Sequence, residues 1–164
     1  MSRRGVLLLA GAVVLAIVLQ TSVLPVYIAD YFKPDLLLII MVFLALRESY
    51  QTGTPLAWLL GLLKDVFSGL YLGLNAFTFL MIFLVIKSVA DRLYAESGFL
   101  FVVTVTAATL ACLTANLLLL FMFTRTPGIA YSIGMGMISH IMVNCFAASL
   151  VILLPGFTRE EESV

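Results

Sequence analysis

The sequence predicts an all-α membrane protein with about six transmembrane helices. Of the 164 residues, 63% are hydrophobic and 11% are charged, against roughly 45–50% apolar and about 25% charged residues in soluble domains. Apolar segments of helical length follow one another along the chain, separated by short polar turns. We therefore expect residues 1–164 to form a single polytopic membrane domain.

The first helix is expected over residues 5–24, about the 20 apolar residues that a bilayer core requires, with Pro25 as its end. Arg3 and Arg4 precede it, as in a secretory signal. The apolar run ends in Gln-Thr-Ser at residues 20–22 without a small-residue cleavage site, so the segment is predicted to be retained.

The second segment, residues 36–46, is short for a transmembrane helix. It is either a tilted short helix or one half of a re-entrant hairpin. Residues 47–53 form a predicted polar loop. The third segment, residues 54–69, is interrupted by Lys64 and Asp65.

Glycines and prolines separate the remaining segments. Gly69, Gly73 and Asn75 mark a turn before the fourth helix, and residues 125–128 form a tight turn before the sixth. The predicted fourth, fifth and sixth helices cover residues 74–90, 97–123 and 129–154.

Lysine and arginine positions predict the orientation, because cytoplasmic loops of membrane proteins are enriched in both residues. Six crossings with a cytoplasmic N-terminus place six basic residues inside: Arg3, Arg4, Arg47, Lys87, Arg92 and Arg159. Lys33 and Arg125 lie outside. Both termini are then in the cytoplasm, and the charges balance without a basic patch for nucleic acid.

Asp65 is the most informative polar residue, because a charge within the membrane is usually functional or paired. Gly61 and Gly69 lie one turn before and after it and allow another backbone to approach. Asp65 is either a ligand-binding or coupling residue in a polar cleft or a structural hydrogen-bonding group near a helix end, with Lys64 reaching towards the interface. In the structural case Asp65→Asn is expected to be mild.

Further polar side chains occur in the apolar helices, and the candidates for a cleft are Asp65, Asn75, Asn116, His140 and Asn144. One interpretation is a single interhelical hydrogen-bond network of Asp65, Asn116, His140 and Asn144, which orients the helices. A lone histidine without Cys or Glu at ligand spacing does not predict a metal site. No catalytic motif or cofactor-binding loop is present in the sequence.

Small residues at helical spacing are candidates for helix packing or for contact with a partner. Ala12 and Ala16 form such a pair in the first helix, and Gly134 and Gly136 lie in the sixth. The sixth-helix pair is favoured, because polar residues Ser132 and Ser139 are its neighbours.

The ordered set of short motifs resembles the rod shape-determining protein MreD family. The matching elements are Leu-Gln-Thr at residues 19–21, Lys-Pro-Asp-Leu-Leu-Leu at 33–38, Gly-Leu-Leu-Lys-Asp-Val-Phe-Ser-Gly at 61–69, and Gly-Leu-Asn-Ala at 73–76. The resemblance extends over nearly the whole chain.

The resemblance implies a non-enzymatic scaffold in the inner membrane of a bacterium, within the cell-elongation complex that makes lateral peptidoglycan. Its implied partners are MreC and, directly or indirectly, the MreB filament, RodA and the transpeptidase partner of RodA, together with membrane lipid. The chain also looks like the substrate-binding S components of energy-coupling-factor vitamin transporters, which share a six-helix fold.

Two other functions stay open at this point. A transporter subunit would bind a small molecule in the polar cleft, with the Ala12 and Ala16 pair facing a coupling subunit. A membrane enzyme acting on lipid would use Asp65 and His140 as base and partner. Saturable binding of a vitamin would favour the transporter, and co-purification with a single-span partner would favour the scaffold.

Overall fold

A computed structural model describes residues 3–27, 32–68, 72–90, 98–123 and 127–153. These residues are almost entirely helical, and no β-strand occurs among them. The first helix, α1, runs from Arg3 to Tyr27. The helices that follow are α2 (Leu36–Arg47), α3 (Tyr50–Ser68), α4 (Leu74–Ala90), α5 (Gly98–Phe123) and α6 (Pro127–Ile152).

Helix α1 changes geometry along its length. It is α-helical over Arg3–Val18, widens into a π-helical turn over Leu19–Val23, and is α-helical again over Leu24–Tyr27. The prediction that Pro25 ends the helix is wrong. Proline leaves backbone carbonyls of the preceding turn without a donor, and a π-helical adjustment lets such carbonyls form other hydrogen bonds within a membrane helix. In this turn the Leu24 N–H donates to the Leu19 carbonyl, five residues back.

Helix α2 is the centre of the bundle. Its buried residues lie on every side of the helix and comprise Leu37, Leu38, Ile39, Met41, Val42, Leu44 and Ala45. The Asp35 side chain caps its first turn by accepting a hydrogen bond from the Leu38 N–H at 3.1 Å. The 12 residues correspond to about 18 Å, far less than the thickness of a bilayer core.

Helices α3 and α4 form an antiparallel hairpin. The predicted loop over 47–53 is mostly wrong, because α3 begins at Tyr50 and the Gly53 N–H already donates to the Ser49 carbonyl. The predicted turn at Gly73 is present, with φ +97°. This conformation favours glycine, which has no β-carbon. Gly69 lies outside the described residues.

Helices α5 and α6 form the other long hairpin, and each contains 26 residues. Helix α6 starts two residues earlier than predicted, at Pro127, because proline suits the first helical position. It ends at Ile152, before the predicted residue 154. There the Leu153 N–H donates to the Leu150 carbonyl, three residues back instead of the four of an α-helix.

Two helices among the described residues are long and apolar enough to cross a membrane, Gly5–Tyr27 and Gly98–Leu118. The apolar helices Leu36–Arg47, Leu74–Ala90 and Gly136–Ile152 are shorter. The all-α class therefore agrees with the prediction for a membrane protein, whereas the six crossings stay a prediction.

Candidate functional site

Asp65 joins the end of α3 to the start of α4. Its Oδ2 accepts hydrogen bonds from the N–H groups of Gly73 (2.9 Å) and Ala76 (3.1 Å). Its Oδ1 accepts two from Asn75, one from the backbone N–H and one from Nδ2, both at 2.9 Å. The first-turn amides of α4 have no partner within their own helix, so the carboxylate caps α4 from outside.

Gly61 makes this cap possible by lying where the two backbones meet. A β-carbon on Gly61 would stand 2.5 Å from the Ala76 Cα and 2.6 Å from the Asn75 carbonyl oxygen. Gly61 and Asp65 are one turn apart, so both face the start of α4. The sequence motif from Gly61 to Ala76 thus describes one helix-to-helix junction.

Asn75 extends the Asp65 junction to α5. The Asn75 Oδ1 accepts a hydrogen bond from Asn116 Nδ2 at 3.2 Å. The Thr78 hydroxyl lies 2.9 Å from the Leu74 carbonyl and 3.4 Å from the Asn116 Oδ1. Asp65, Asn75 and Thr78 are buried, and together with Asn116 they tie α3, α4 and α5 together.

A second junction is centred on Asp35, at the start of α2. The Asp35 carboxylate forms an ion pair with Lys64 of α3, while its backbone N–H donates to Asn144 Oδ1 at 2.7 Å. The Asn144 Nδ2 then donates to the Thr109 hydroxyl at 3.1 Å. Lys64 also lies over the ring of Phe79, 5.1 Å from its centroid. It is paired within the bundle, contrary to the prediction that it reaches towards the interface.

The single network that the sequence suggested is therefore wrong, because two junctions take its place. Asp65 and Asn116 belong to the first and Asn144 to the second. Lys64 and Asp65 are neighbours in sequence but point about 100° apart around α3, which sends one side chain to α2 and the other to α4. Among the described residues His140 joins neither junction by a hydrogen bond, although it lies close to the second.

A cleft of about 420 Å³ lies beside the second junction. It is bounded by α1, the start of α2, α3, α5 and α6. Its polar and charged lining comprises Gln20, Thr21, Lys33, Asp35, Lys64, Thr109, Asn116, His140 and Asn144. Asp65 and Asn75 do not line it, so the structure brings only three of the five predicted cleft candidates to this space.

The small-residue candidates lie in different surroundings. Ala12 is exposed, whereas Ala16 is 4% exposed and belongs to the core. The side of α1 that carries Ala16 packs inward, which agrees with the helix-packing alternative for this residue, whereas Ala12 stays a candidate for contact with a partner. Gly136 is buried, and the surroundings of Gly134 lie outside the part of the structure that describes side chains.

The two junctions are built to hold helices. The four hydrogen bonds described above come from Gly73, Asn75 and Ala76, and each oxygen of the Asp65 carboxylate accepts two of them. No group of three metal-ligating side chains occurs among the described residues.

Sequence reasoning missed Asp35 as the centre of a junction, and it missed Gln20, Thr78 and Thr109 as polar contacts. An aspartate directly before an apolar run is a helix-cap signal, and an intramembrane lysine requires an opposite charge. Those two rules together would have indicated Asp35. The hydroxyl groups carried no such signal, because threonine commonly bonds to its own helix.

Comparison with protein families matches the chain to the family described as rod shape-determining protein MreD, over residues 1–158. Comparison with curated proteins and with solved structures gives no match. The likeness to the S-component fold therefore stays a prediction.

Proposed function

The chain belongs to the MreD family of rod shape-determining proteins, and from this we propose that it is a non-enzymatic inner-membrane scaffold of the bacterial cell-elongation complex. In this function it docks MreC, and with it the peptidoglycan synthase, within the bilayer. The family match over residues 1–158 carries the proposal. The Asp65 carboxylate caps α4, which supports a structural role for this charge.

Docking is proposed on the outer side of α1. In the apolar stretch of this helix only 6% of the residues are buried inside the bundle. Ala10, Gly11 and Ala12 are consecutive exposed residues, and a β-carbon on Gly11 would meet nothing within 4 Å. Small residues allow a second helix to approach closely in lipid, where packing replaces the hydrophobic effect as the driving force.

A double substitution tests the α1 surface. Gly11→Leu with Ala12→Leu is expected to reduce co-purification of co-expressed MreC at least about fivefold, because bulky side chains keep the partner helix away. Protein level and membrane insertion should stay unchanged, since both positions are exposed. The measurement is the amount of MreC recovered per mole of purified chain.

The matched control is Ala107→Leu with Ala111→Leu, which enlarges two exposed small residues one turn apart on α5. This variant should keep MreC. Loss of MreC from the α5 variant, with retention by the α1 variant, would show that the partner docks on α5. Retention by both variants would place recognition outside these surfaces.

The proposed orientation, with cytoplasmic termini, is tested by cysteine labelling in a background lacking Cys112 and Cys145. A membrane-impermeant maleimide added outside should label a cysteine at Pro127 and leave cysteines at Gln51 and Ser97 unlabelled, because the basic-residue bias places the latter two inside. After the membrane is permeabilised, Gln51 should become reactive. Labelling of Gln51 in intact cells would reverse the proposed orientation.

A further inference from the structure

The cleft beside the second junction lies within the apolar part of the bundle. Gln20 and Thr109 line it, and they belong to the two helices that are long and apolar enough to cross a membrane, Gly5–Tyr27 and Gly98–Leu118. Thr109 is near the middle of its helix, and Gln20 lies about 10 Å before the end of its own. The polar groups of the cleft are therefore at the depth of the lipid chains, where an unsatisfied polar group is costly.

The charged groups that line the cleft are already engaged. Lys64 forms an ion pair with Asp35, and Lys33 has an interaction partner within the chain. The Asp35 carboxylate also caps the first turn of α2 through the Leu38 N–H, so the partial positive charge of this helix end is matched as well. The histidine of the lining, His140, is formally neutral at pH 7. The cleft therefore favours an uncharged ligand.

Two polar side chains of the lining carry hydrogen-bonding atoms that no described residue uses. The Gln20 amide donates through Nε2 to the Pro34 carbonyl, while its oxygen accepts no hydrogen bond within the described part of the chain. His140 makes no hydrogen bond in that part either, and a neutral imidazole has one donor and one acceptor nitrogen. A ligand that serves both side chains must donate and accept, and a hydroxyl group does both.

The remaining lining is mainly apolar and reaches the lipid-facing surface. Ile17, Leu37 and Leu113 form part of the wall. The lining also includes Thr21, which is exposed, and Phe67, which is 53% exposed, so the cleft opens sideways towards lipid. A molecule with a small polar headgroup and an apolar chain satisfies both kinds of surface. The cleft volume of about 420 Å³ lies within the range of about 300–1,000 Å³ seen for ligand pockets.

We propose that this cleft binds the hydroxyl headgroup of an uncharged membrane lipid, such as a monoacylglycerol or diacylglycerol, with its acyl chain lying outside along α1 and α3. The Gln20 oxygen accepts from a hydroxyl of the headgroup, and the His140 ring hydrogen-bonds to the same headgroup. The pair of Lys64 with Asp35 holds the start of α2 as the floor of the site. The binding does not depend on docking of MreC, so it can be measured on the purified chain alone.

The test uses purified chain in phosphatidylcholine nanodiscs that contain equal, small amounts of monooleoylglycerol and methyl oleate, followed by native mass spectrometry of the chain with its retained lipid. The two additives share one acyl chain, and only the first has hydroxyl groups. The wild-type chain should retain monooleoylglycerol over methyl oleate by about tenfold, the effect of one or two neutral hydrogen bonds. Oleoyl-lysophosphatidylglycerol, which adds a negative charge, should bind no better than monooleoylglycerol; stronger binding would contradict an uncharged ligand.

Substitutions of His140 test the assigned contact. His140→Leu should lower the retention ratio to about threefold or less, whereas His140→Gln, which keeps a donor and an acceptor, should hold it near the wild-type value. Thr114→Leu is the matched control, because it removes an exposed hydroxyl outside the cleft, and it should keep the ratio. His140 makes no hydrogen bond within the described residues, so its variants should keep the wild-type unfolding temperature, and a changed ratio reports binding.

A steric pair checks the location of the site. Leu113→Trp fills the cleft and should release the lipid, whereas Leu110→Trp changes a residue that is 49% exposed on the same helix and should not. No preference in the wild-type chain, or a preference that survives both His140→Leu and Leu113→Trp, would overturn the proposal. Free glycerol in molar excess should not displace monooleoylglycerol; displacement would assign the site to a soluble polyol and overturn the choice of a lipid.

Discussion

Replacing Asp65 with leucine is expected to lower the free energy of unfolding by more than about 4 kcal/mol. The change removes an acceptor from four donors at the start of α4, three of them backbone N–H groups. Asp65 is 2% exposed, so water cannot readily replace the carboxylate, and each stranded donor costs about 1–3 kcal/mol. The measurement is the unfolding temperature of the purified protein in detergent, monitored by the loss of its monodisperse peak in size-exclusion chromatography.

The Asp65→Asn variant tests whether stability requires the carboxylate itself or only a polar side chain at this position. The sequence suggested a mild effect, because an amide keeps its hydrogen-bonding capacity. The structure predicts a substantial effect, of about 2 kcal/mol, because both oxygens accept from N–H groups and one of them would become an NH₂ donor. Thr114→Leu, at an exposed hydroxyl that bonds only to its own helix, should be nearly neutral. An asparagine variant as stable as the wild-type chain would contradict the capping assignment.

A methyl group at Gly61 should destabilise the protein by about 3 kcal/mol, the upper part of the usual range for overpacking. The new β-carbon would lie 2.5 Å from the Ala76 Cα and 2.8 Å from the Ala76 backbone nitrogen. Backbone atoms cannot rotate away, so α3 and α4 must separate, and the Asp65 cap must lengthen with them. At roughly 2–4 °C per kcal/mol for a chain of this size, the unfolding temperature should fall by about 10 °C.

Gly11→Ala is the matched control for Gly61→Ala, because both glycines lie within helices and only the space around them differs. A β-carbon on Gly11 meets nothing within 4 Å, so the higher helix propensity of alanine should leave stability unchanged or raise it by up to about 1 kcal/mol. Equal losses in both variants would show that glycine flexibility matters more than the approach of α4 to Gly61.

The apolar segments predicted most of the helices well, and the polar residues at their ends predicted the boundaries poorly. The predicted fourth helix, residues 74–90, agrees with α4, and the second differs by one residue at its end. Tyr50, Gln51 and Thr52 look like loop residues by composition but form the first turn of α3. A few polar residues cannot stop a helix whose next turns are packed, because tertiary packing outweighs single-residue propensity.

The sequence by itself determined that the chain is helical and suited to a membrane, because composition and apolar segment length are local properties. It also indicated that Gly61 and Asp65 lie on the same face of one helix, because they are four residues apart. The tertiary structure alone decided which partner each polar group has. Asp35 and Lys64 are 29 residues apart, and Asp35 and Asn144 are 109 apart. Such pairings depend on which helix packs beside the short, buried α2, and no local pattern in the chain records that choice.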